Sequence, residues 1–274
     1  MLTDTTPVLS AQHGPLRLLT LNRADKLNAF TPEMLAMLEA ELDDALADEA
    51  TRVIAITGSG PKAFAAGNDI ERLSSLDGVA AYRDMLAGQR TMLRLHECAK
   101  PTIAMVNGYA LGGGFELALA CDFIVASGNA SFAFPEITLN TMPGWGGTQL
   151  AVAKLGLACA KRFVMTGRRF SASECETFGF IHDIVAHEDL FDAVRSLATT
   201  LAAFDPFAAE MSKRALNRAS ELPLSAGLDF EAAQYAVNFS SEGARAGLRQ
   251  FMARRPAKRA SEDASDQRTE QVSS

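Results

Sequence analysis

The fold is decided by residues 102–126, TIAMVNGYALGGGFELALACDFIVA, in which two apolar runs flank a glycine-rich turn and a short apolar stretch. The runs at Thr102–Val106 and residues 122–126 predict strands, and residues 115–120 predict a helix. A strand, a helix and a second strand in succession form a crossover unit, which joins parallel strands. This stretch therefore predicts an α/β fold with a mostly parallel sheet.

The same alternation extends along the N-terminal half of the chain. Strands are predicted at Leu16–Leu21 and at residues 52–57, with a short one at residues 131–134. A helix is predicted over Pro32–Ala47, because its apolar residues recur at helical spacing after a Thr-Pro start, and another over residues 79–97. These elements support the α/β class.

The C-terminal half is predicted to be mostly helical. Helix starts are indicated by Ser173, with Glu176 completing a capping box, by Asp205 before Pro206, and by Pro223. The chain is thus divided into an α/β core at residues 1–200, a helical region at 201–256 and a disordered tail at 257–274.

Composition narrows the class of protein. The 274 residues carry a net charge of −7, which argues against electrostatic binding to nucleic acid or to an anionic membrane. No apolar run reaches the roughly 18–20 residues of a membrane helix, and the first residues do not resemble a signal peptide. The four scattered cysteines fit reduced thiols, so we expect a cytoplasmic protein.

Neither the glycine-containing stretch at residues 58–63 nor the histidines of the chain indicate a cofactor site. Residues 58–63, GSGPKA, match a degenerate dinucleotide fingerprint, but Pro61 and the run that follows it prevent a helix from opening at once. The four histidines form no cluster with metal-ligand spacing. The sequence therefore predicts neither a dinucleotide nor a metal.

Three segments follow predicted strands, where α/β folds place their ligand sites. They are FAAGND at residues 64–69, NGYALGGGFELALACD at 107–122 and FPEITLNTMPGWGGTQ at 134–149.

The second segment combines glycines with a lone carboxylate. Residues 112–114 are glycines that let the backbone approach a ligand, and the unpaired amides of a helix start could form half of an oxyanion hole. Glu116 follows in an apolar run, where burial raises the pKa of a carboxyl toward the range of proton transfer. Alternatively, the glycines serve packing and Glu116 pairs with an arginine.

The third segment supplies a second isolated acid, Glu136, beside Pro135 and before a glycine-rich loop. Two carboxylates in apolar settings suggest general acid–base catalysis. The alternative is that Glu136 caps a short turn.

Together with NRADKLNAF at residues 22–30, these segments resemble the crotonase superfamily, also called the enoyl-CoA hydratase/isomerase family, over residues 16–255. The resemblance implies a spiral of repeated ββα units with a C-terminal helical region that builds homotrimers, often paired as hexamers. It also implies an acyl-CoA thioester as substrate, with no metal or redox cofactor.

The catalytic roles come from the resemblance, motif by motif. The backbone amides of Asn68 and Gly113 would hold the thioester oxygen. Glu116 would act as base toward water, Glu136 would protonate C2 and the Gly144 amide would position the water. The implied reaction is reversible hydration of trans-2-enoyl-CoA to 3-hydroxyacyl-CoA.

The resemblance also implies a set of residues that contact CoA or the acyl group. A solvated surface is the alternative for the two basic residues at positions 62 and 254. The set comprises Lys26, Leu27, Lys62, Ala66, Asn68, Asp69, Ile70, Gly112, Gly113, Trp145, Phe251 and Arg254.

Some positions depart from the family pattern. Asn68 stands where hydratases commonly have alanine, which keeps a Δ3,Δ2-enoyl-CoA isomerase as an alternative. Another acyl-CoA-acting enzyme of the family also remains an alternative, and altered loop residues leave open a non-catalytic acyl-CoA-binding protein. Asn140 replaces a common glycine, and Trp145 adds bulk to the loop. Both could shape an acyl pocket walled by residues 73–90, or Trp145 could simply pack the loop.

Overall fold

The computed structural model describes residues 6–253. Its strands, in chain order, are β1 Val8–His13, β2 Leu16–Leu21, β3 Val53–Gly58, β4 Ala63–Ala65, β5 Thr102–Val106, β6 Tyr109–Leu111, β7 Phe123–Ser127, β8 Ser131–Ala133, β9 Phe170–Ser171 and β10 Asp183–Val185.

The α-helices are α1 Pro32–Ala47, α2 Ile70–Leu73, α3 Gly78–Glu97, α4 Gly113–Ala120, α5 Gly147–Thr166, α6 Ala172–Glu176, α7 Leu190–Ala202, α8 Pro206–Arg218 and α9 Leu224–Phe239. Residues 242–253 are also helical. Single 3-10 turns cover Ala24–Lys26, Pro135–Leu139 and His187–Asp189.

A six-stranded sheet has the order β1-β2-β3-β5-β7-β10. All its pairs are parallel except β1 with β2. Every residue of β3 is buried, as expected for a parallel strand covered on both faces. The parallel α/β core predicted from residues 102–126 is confirmed.

A smaller sheet of order β4-β6-β8-β9 repeats the connectivity of the larger one. The strands β3, β5 and β7 are each followed by a short strand of the second sheet and then by a helix. These are three successive ββα units, the repeat implied by the sequence. The repeat brings the segments that follow β3, β5 and β7 to neighbouring places along the small sheet.

The core beneath the small sheet is aromatic. The Phe115 ring lies 4.7–5.7 Å, centre to centre, from the rings of Phe132, Phe134, Phe163 and Phe180. Aromatic pairs at such distances contribute about 0.5–1.5 kcal/mol beyond their burial. This cluster fixes α4, which carries Glu116.

The chain divides into two compact units, one ending at Ala203 and one beginning at Phe204. The first contains both sheets, and the second contains α8, α9 and the helical residues 242–253. The predicted tail at 257–274 and Arg254 lie outside the described residues. Within residues 6–253, no helix is long and apolar enough to span a membrane.

Several predicted boundaries move. The capping box is formed by Ser171 and Glu174, not by Ser173 and Glu176, because Ser171 is the extended residue whose hydroxyl accepts from the Glu174 amide. The apolar helix begins at Gly113 rather than at residue 115. Other bounds shift by one residue, and β1 and the short strands β4, β6, β9 and β10 are not predicted.

Candidate active site

Glu116 lies in the first turn of α4 and is 2% exposed. Its Oε1 accepts hydrogen bonds from the backbone amides of Trp145 at 2.8 Å and Gly147 at 2.7 Å. Burial raises its pKa to about 7, the Glu136 charge adds to the rise, and the two amides oppose it. The partners of this carboxylate are therefore backbone amides, and no arginine within residues 6–253 pairs with it, contrary to the alternative.

Glu136 lies on the 3-10 turn Pro135–Leu139, at the end of the unit built by β7 and β8. Burial raises its pKa to about 7. Its Oε2 is buried and has no hydrogen-bond partner among residues 6–253. Its Oε1 lies 2.7 Å from where a Cβ on Gly112 would be, and the φ of 52° at Gly112 favours glycine at this position.

The backbone at Asn68 is held by Phe30. The Phe30 amide donates to the Gly67 carbonyl and the Asp69 amide donates to the Phe30 carbonyl, forming a parallel bridge. Successive amides in extended backbone point to opposite sides. The Asn68 amide therefore points away from Phe30.

The opposite side of this segment faces the start of α4. The Gly113 nitrogen lies 3.2 Å from where a Cβ on Gly67 would be, so residues 67 and 113 are in close contact. Gly113 is the first residue of the helix, where amides have no acceptor within the helix. The two amides expected to form an oxyanion hole thus belong to adjoining backbone segments.

The loop of residues 144–147 lies against Glu116. The Gly144 carbonyl accepts from Gln89 Nε2 at 2.8 Å, and Gly146 has a φ of 113° that permits the turn into α5. A Cβ on Gly147 would lie 2.8 Å from Glu116 Oε1, so the carboxylate packs directly on the loop. The glycines of this loop allow backbone amides to reach Glu116.

A separate cavity of about 280 Å³ opens near the predicted CoA segment. It is lined by residues 24, 25 and 27 and by residues 59–63, which include Leu27 and Lys62. Two buried asparagines hold these walls. Asn28 Nδ2 donates to the carbonyls of Ser59 and Ala63, and Asn107 Nδ2 donates to those of Gly58 and Gly60.

Comparison with known proteins assigns the chain to a family. The family model described as enoyl-CoA hydratase/isomerase matches residues 12–261. The chain belongs to the enoyl-CoA hydratase/isomerase family. This confirms the resemblance predicted from the sequence and the enzymatic class that came with it.

Individual relatives cover nearly the whole chain. A probable enoyl-CoA hydratase of Rhizobium meliloti is 41% identical over 91% of this chain and 96% of its own. A short-chain-enoyl-CoA hydratase of Clostridium acetobutylicum is 31% identical over 90% of this chain and 95% of its own. The crystal structure of enoyl-CoA hydratase from Bacillus anthracis superimposes with a TM-score of 0.86 at 31% identity, over 90% and 96%.

In this member of the enoyl-CoA hydratase/isomerase family, the remaining predicted ligand residues have different surroundings. The Ala66 amide donates to the Leu27 carbonyl, and Asp69 forms an ion pair with Arg23 at 3.1 Å. Lys26 and Ile70 are exposed in the same unit. Phe251 is exposed in the C-terminal unit, and no contact with a ligand is assigned to it.

Three residues of α3 that sequence analysis did not single out contact the loop of residues 144–147. They are Met85, Gly88 and Gln89. Sequence analysis expected residues 73–90 to form a wall of the acyl pocket. It could not predict that Gly88 contacts Trp145, because a single glycine in a helical run does not indicate which residue packs against it. Sequence analysis also did not predict that Asn28 and Asn107 support the cavity. Both residues belong to motif segments that it quoted, and that membership was the available signal.

Proposed function

We propose that this protein is an enoyl-CoA hydratase that adds water reversibly to a trans-2-enoyl-CoA and gives a 3-hydroxyacyl-CoA. The observation that carries the proposal is the pair Glu116 and Glu136. The two carboxyls are close enough for the Glu136 charge to raise the pKa of Glu116; Glu116 is buried, Glu136 is half-buried, and burial raises the pKa of each to about 7. A pKa near the working pH suits groups that both give and take protons.

The surroundings of the two acids favour different protonation states. Two backbone amides donate to Glu116 Oε1, which favours the ionised carboxylate. Glu136 Oε2 is buried without a partner among the described residues, which favours the neutral acid. We therefore assign Glu116 as the base and Glu136 as the acid.

The proposed step conserves atoms and charge. Glu116 takes a proton from water as the water oxygen bonds to C3 of the enoyl group, and electrons move to the thioester oxygen. The amides of Asn68 and Gly113 stabilise that oxyanion, a contribution of about 3–4 kcal/mol per donor in other enzymes. Collapse of the enolate takes the Glu136 proton to C2, and the Gly144 amide helps to hold the water.

CoA itself would be bound by the cavity lined by residues 24, 25, 27 and 59–63. Lys62 lines this cavity and is exposed, so its ammonium is available to a phosphate. No metal or redox cofactor is needed, because the backbone amides stabilise the negative charge that develops.

An isomerase is the second candidate. The Asn68 side chain supports it, because its Oδ1 is buried and has no hydrogen-bond partner within residues 6–253. A polar side chain in this position provides an acceptor that alanine would not. The isomerase would move the double bond of a 3-enoyl-CoA from C3–C4 to C2–C3 without adding water.

Purified protein should hydrate crotonyl-CoA, followed as loss of the conjugated thioester absorbance. The same preparation should convert a trans-3-enoyl-CoA more slowly than it hydrates the 2-enoyl isomer. Faster conversion of the 3-enoyl isomer would reject hydration as the main activity. Binding of acyl-CoA without turnover of either isomer would contradict both enzymatic assignments.

We also propose that the protein is a homotrimer or a dimer of trimers. The C-terminal unit exposes large apolar side chains on α8 and α9, which include Leu216, Leu224 and Tyr235 at 65–79% exposure. Such apolar surface is typical of an interface between subunits. Light scattering should give three or six times the 29.3 kDa mass, and a monomer at assay concentration would contradict the proposal.

A further inference from the structure

The side chain of Trp145 occupies the space between the oxyanion segment and α3. It is 1% exposed. Its Cε3–Cζ3 edge lies 3.1 Å from where a Cβ on Gly113 would be, and its pyrrole edge lies 2.2 Å from the same position on Gly88. The Phe30 ring packs against it at 5.3 Å, ring centre to ring centre, with the two planes inclined by 61°. The indole therefore extends from the catalytic backbone to the helix beyond it.

Gly88 and Trp145 are complementary in shape. A Cβ at 2.2 Å from three atoms of the indole is a distance that real side chains do not adopt, so only glycine on α3 leaves room for this ring. Gly88 lies inside the long helix α3, where glycine lowers helix stability relative to alanine and no turn requires it. Its explanation is the indole that it accommodates.

Packing alone does not account for tryptophan here. Buried Trp N–H groups usually find a hydrogen-bond partner. The Nε1 of Trp145 is buried with no partner among the described residues, a cost that a smaller phenylalanine or leucine would avoid. The size of the indole is what distinguishes it from those residues.

We propose that Trp145 is a specificity-determining residue that ends the acyl site and restricts the substrate to short acyl groups. This inference rests on the proposed hydratase. The indole edge lies against Gly113, whose amide is proposed to hold the thioester oxygen, and the Trp145 amide holds Glu116. We therefore infer that the acyl carbons beyond C3 meet the ring. A chain of eight or ten carbons must displace the ring.

The role of Trp145 is separable from catalysis. Its bond to Glu116 comes from the backbone amide, so substitution of the side chain keeps the donor. Trp145→Ala should raise the ratio of kcat/KM for the ten-carbon to the four-carbon 2-enoyl-CoA by about tenfold or more, since a pocket discriminates by about 10–200-fold per methylene. Trp145→Phe should give an intermediate ratio.

Binding provides a readout that does not depend on turnover. Trp145 is the only tryptophan of the chain, so its emission reports its own surroundings. Titration of the wild type with saturated butyryl-CoA and decanoyl-CoA should show tighter binding of the shorter thioester. Calorimetry on Trp145→Ala should show that this preference is reduced about tenfold or reversed.

A matched control removes a buried aromatic ring elsewhere. Phe170 is fully buried and packs on Phe163 with ring centres 4.5 Å apart in a tilted arrangement, and Phe170→Leu should leave both chain-length ratios unchanged. Equal affinity of the wild type for both thioesters, no affinity for either, or an unchanged ratio in Trp145→Ala would overturn the inference. Short-chain binding without any hydration would instead overturn only the proposed function.

Discussion

Replacement of Glu136 by glutamine is expected to lower the rate of crotonyl-CoA hydration by about 10²–10⁴, the usual contribution of one acid–base group. Glutamine has nearly the same shape, so its amide fills the space beside Gly112. It has no proton to give to C2 of the enolate. The loss should appear in kcat, because the oxyanion amides and the CoA cavity are unchanged.

The control for this variant is an exposed glutamate of the same unit. Glu188 is exposed at the surface, and Glu188→Gln should leave the rate as in the wild type. Affinity for saturated butyryl-CoA should be equal in the wild type and both variants, which separates chemistry from binding. Hydration at the wild-type rate by Glu136→Gln would remove Glu136 from the mechanism.

The sequence predicts the long elements of this fold and the identity of the two acids. The strand β5 is a short continuous apolar run, the α1 helix has apolar residues at helical spacing, and Thr31 marks the start of α1 with a side chain that accepts from the Met34 amide. Glu116 stands out because every other residue of its helix is apolar or glycine. Local pattern is sufficient for features of this kind.

The convergence of the site could not be predicted in the same way. It depends on the small sheet, whose strands β4, β6 and β8 have three residues each and therefore show no periodicity. The two amides that hold Glu116 come from a loop about thirty residues downstream, and Glu136 approaches Gly112 through the register of β6 with β8. Such contacts depend on how the strands pair in space, and the spacing of motifs along the sequence does not predict that pairing.

The same burial that suits the acids to catalysis reduces stability near neutral pH. Each carboxyl holds its proton more tightly in the folded protein than in the unfolded chain, since its pKa rises from the ordinary value of 4.5 to about 7. Between these values the folded state binds more protons, so the free energy of unfolding falls as the pH rises. The loss is complete once the pH exceeds the folded pKa.

Replacement of Glu116 by glutamine tests both consequences at once. Its side-chain carbonyl can still accept from the amides of Trp145 and Gly147, so the loop should keep its position. Without a carboxylate, no base acts on the water, and hydration should fall by about 10²–10⁴. The variant should also unfold with a higher free energy than the wild type at about pH 8, by roughly 1–3 kcal/mol, because a buried charge has been removed.

The measurement is denaturant unfolding from about pH 5 to pH 8 beside the hydration assay, with Glu188→Gln as the matched variant. The difference between Glu116→Gln and the wild type should be small near pH 5, where Glu116 is neutral, grow as the pH rises toward the folded pKa of about 7, and level off above it. A pH-independent difference would show that Glu116 is not buried with a raised pKa. A variant that is more stable but hydrates normally would place the base elsewhere, since the loss of charge and the loss of catalysis come from the same carboxylate.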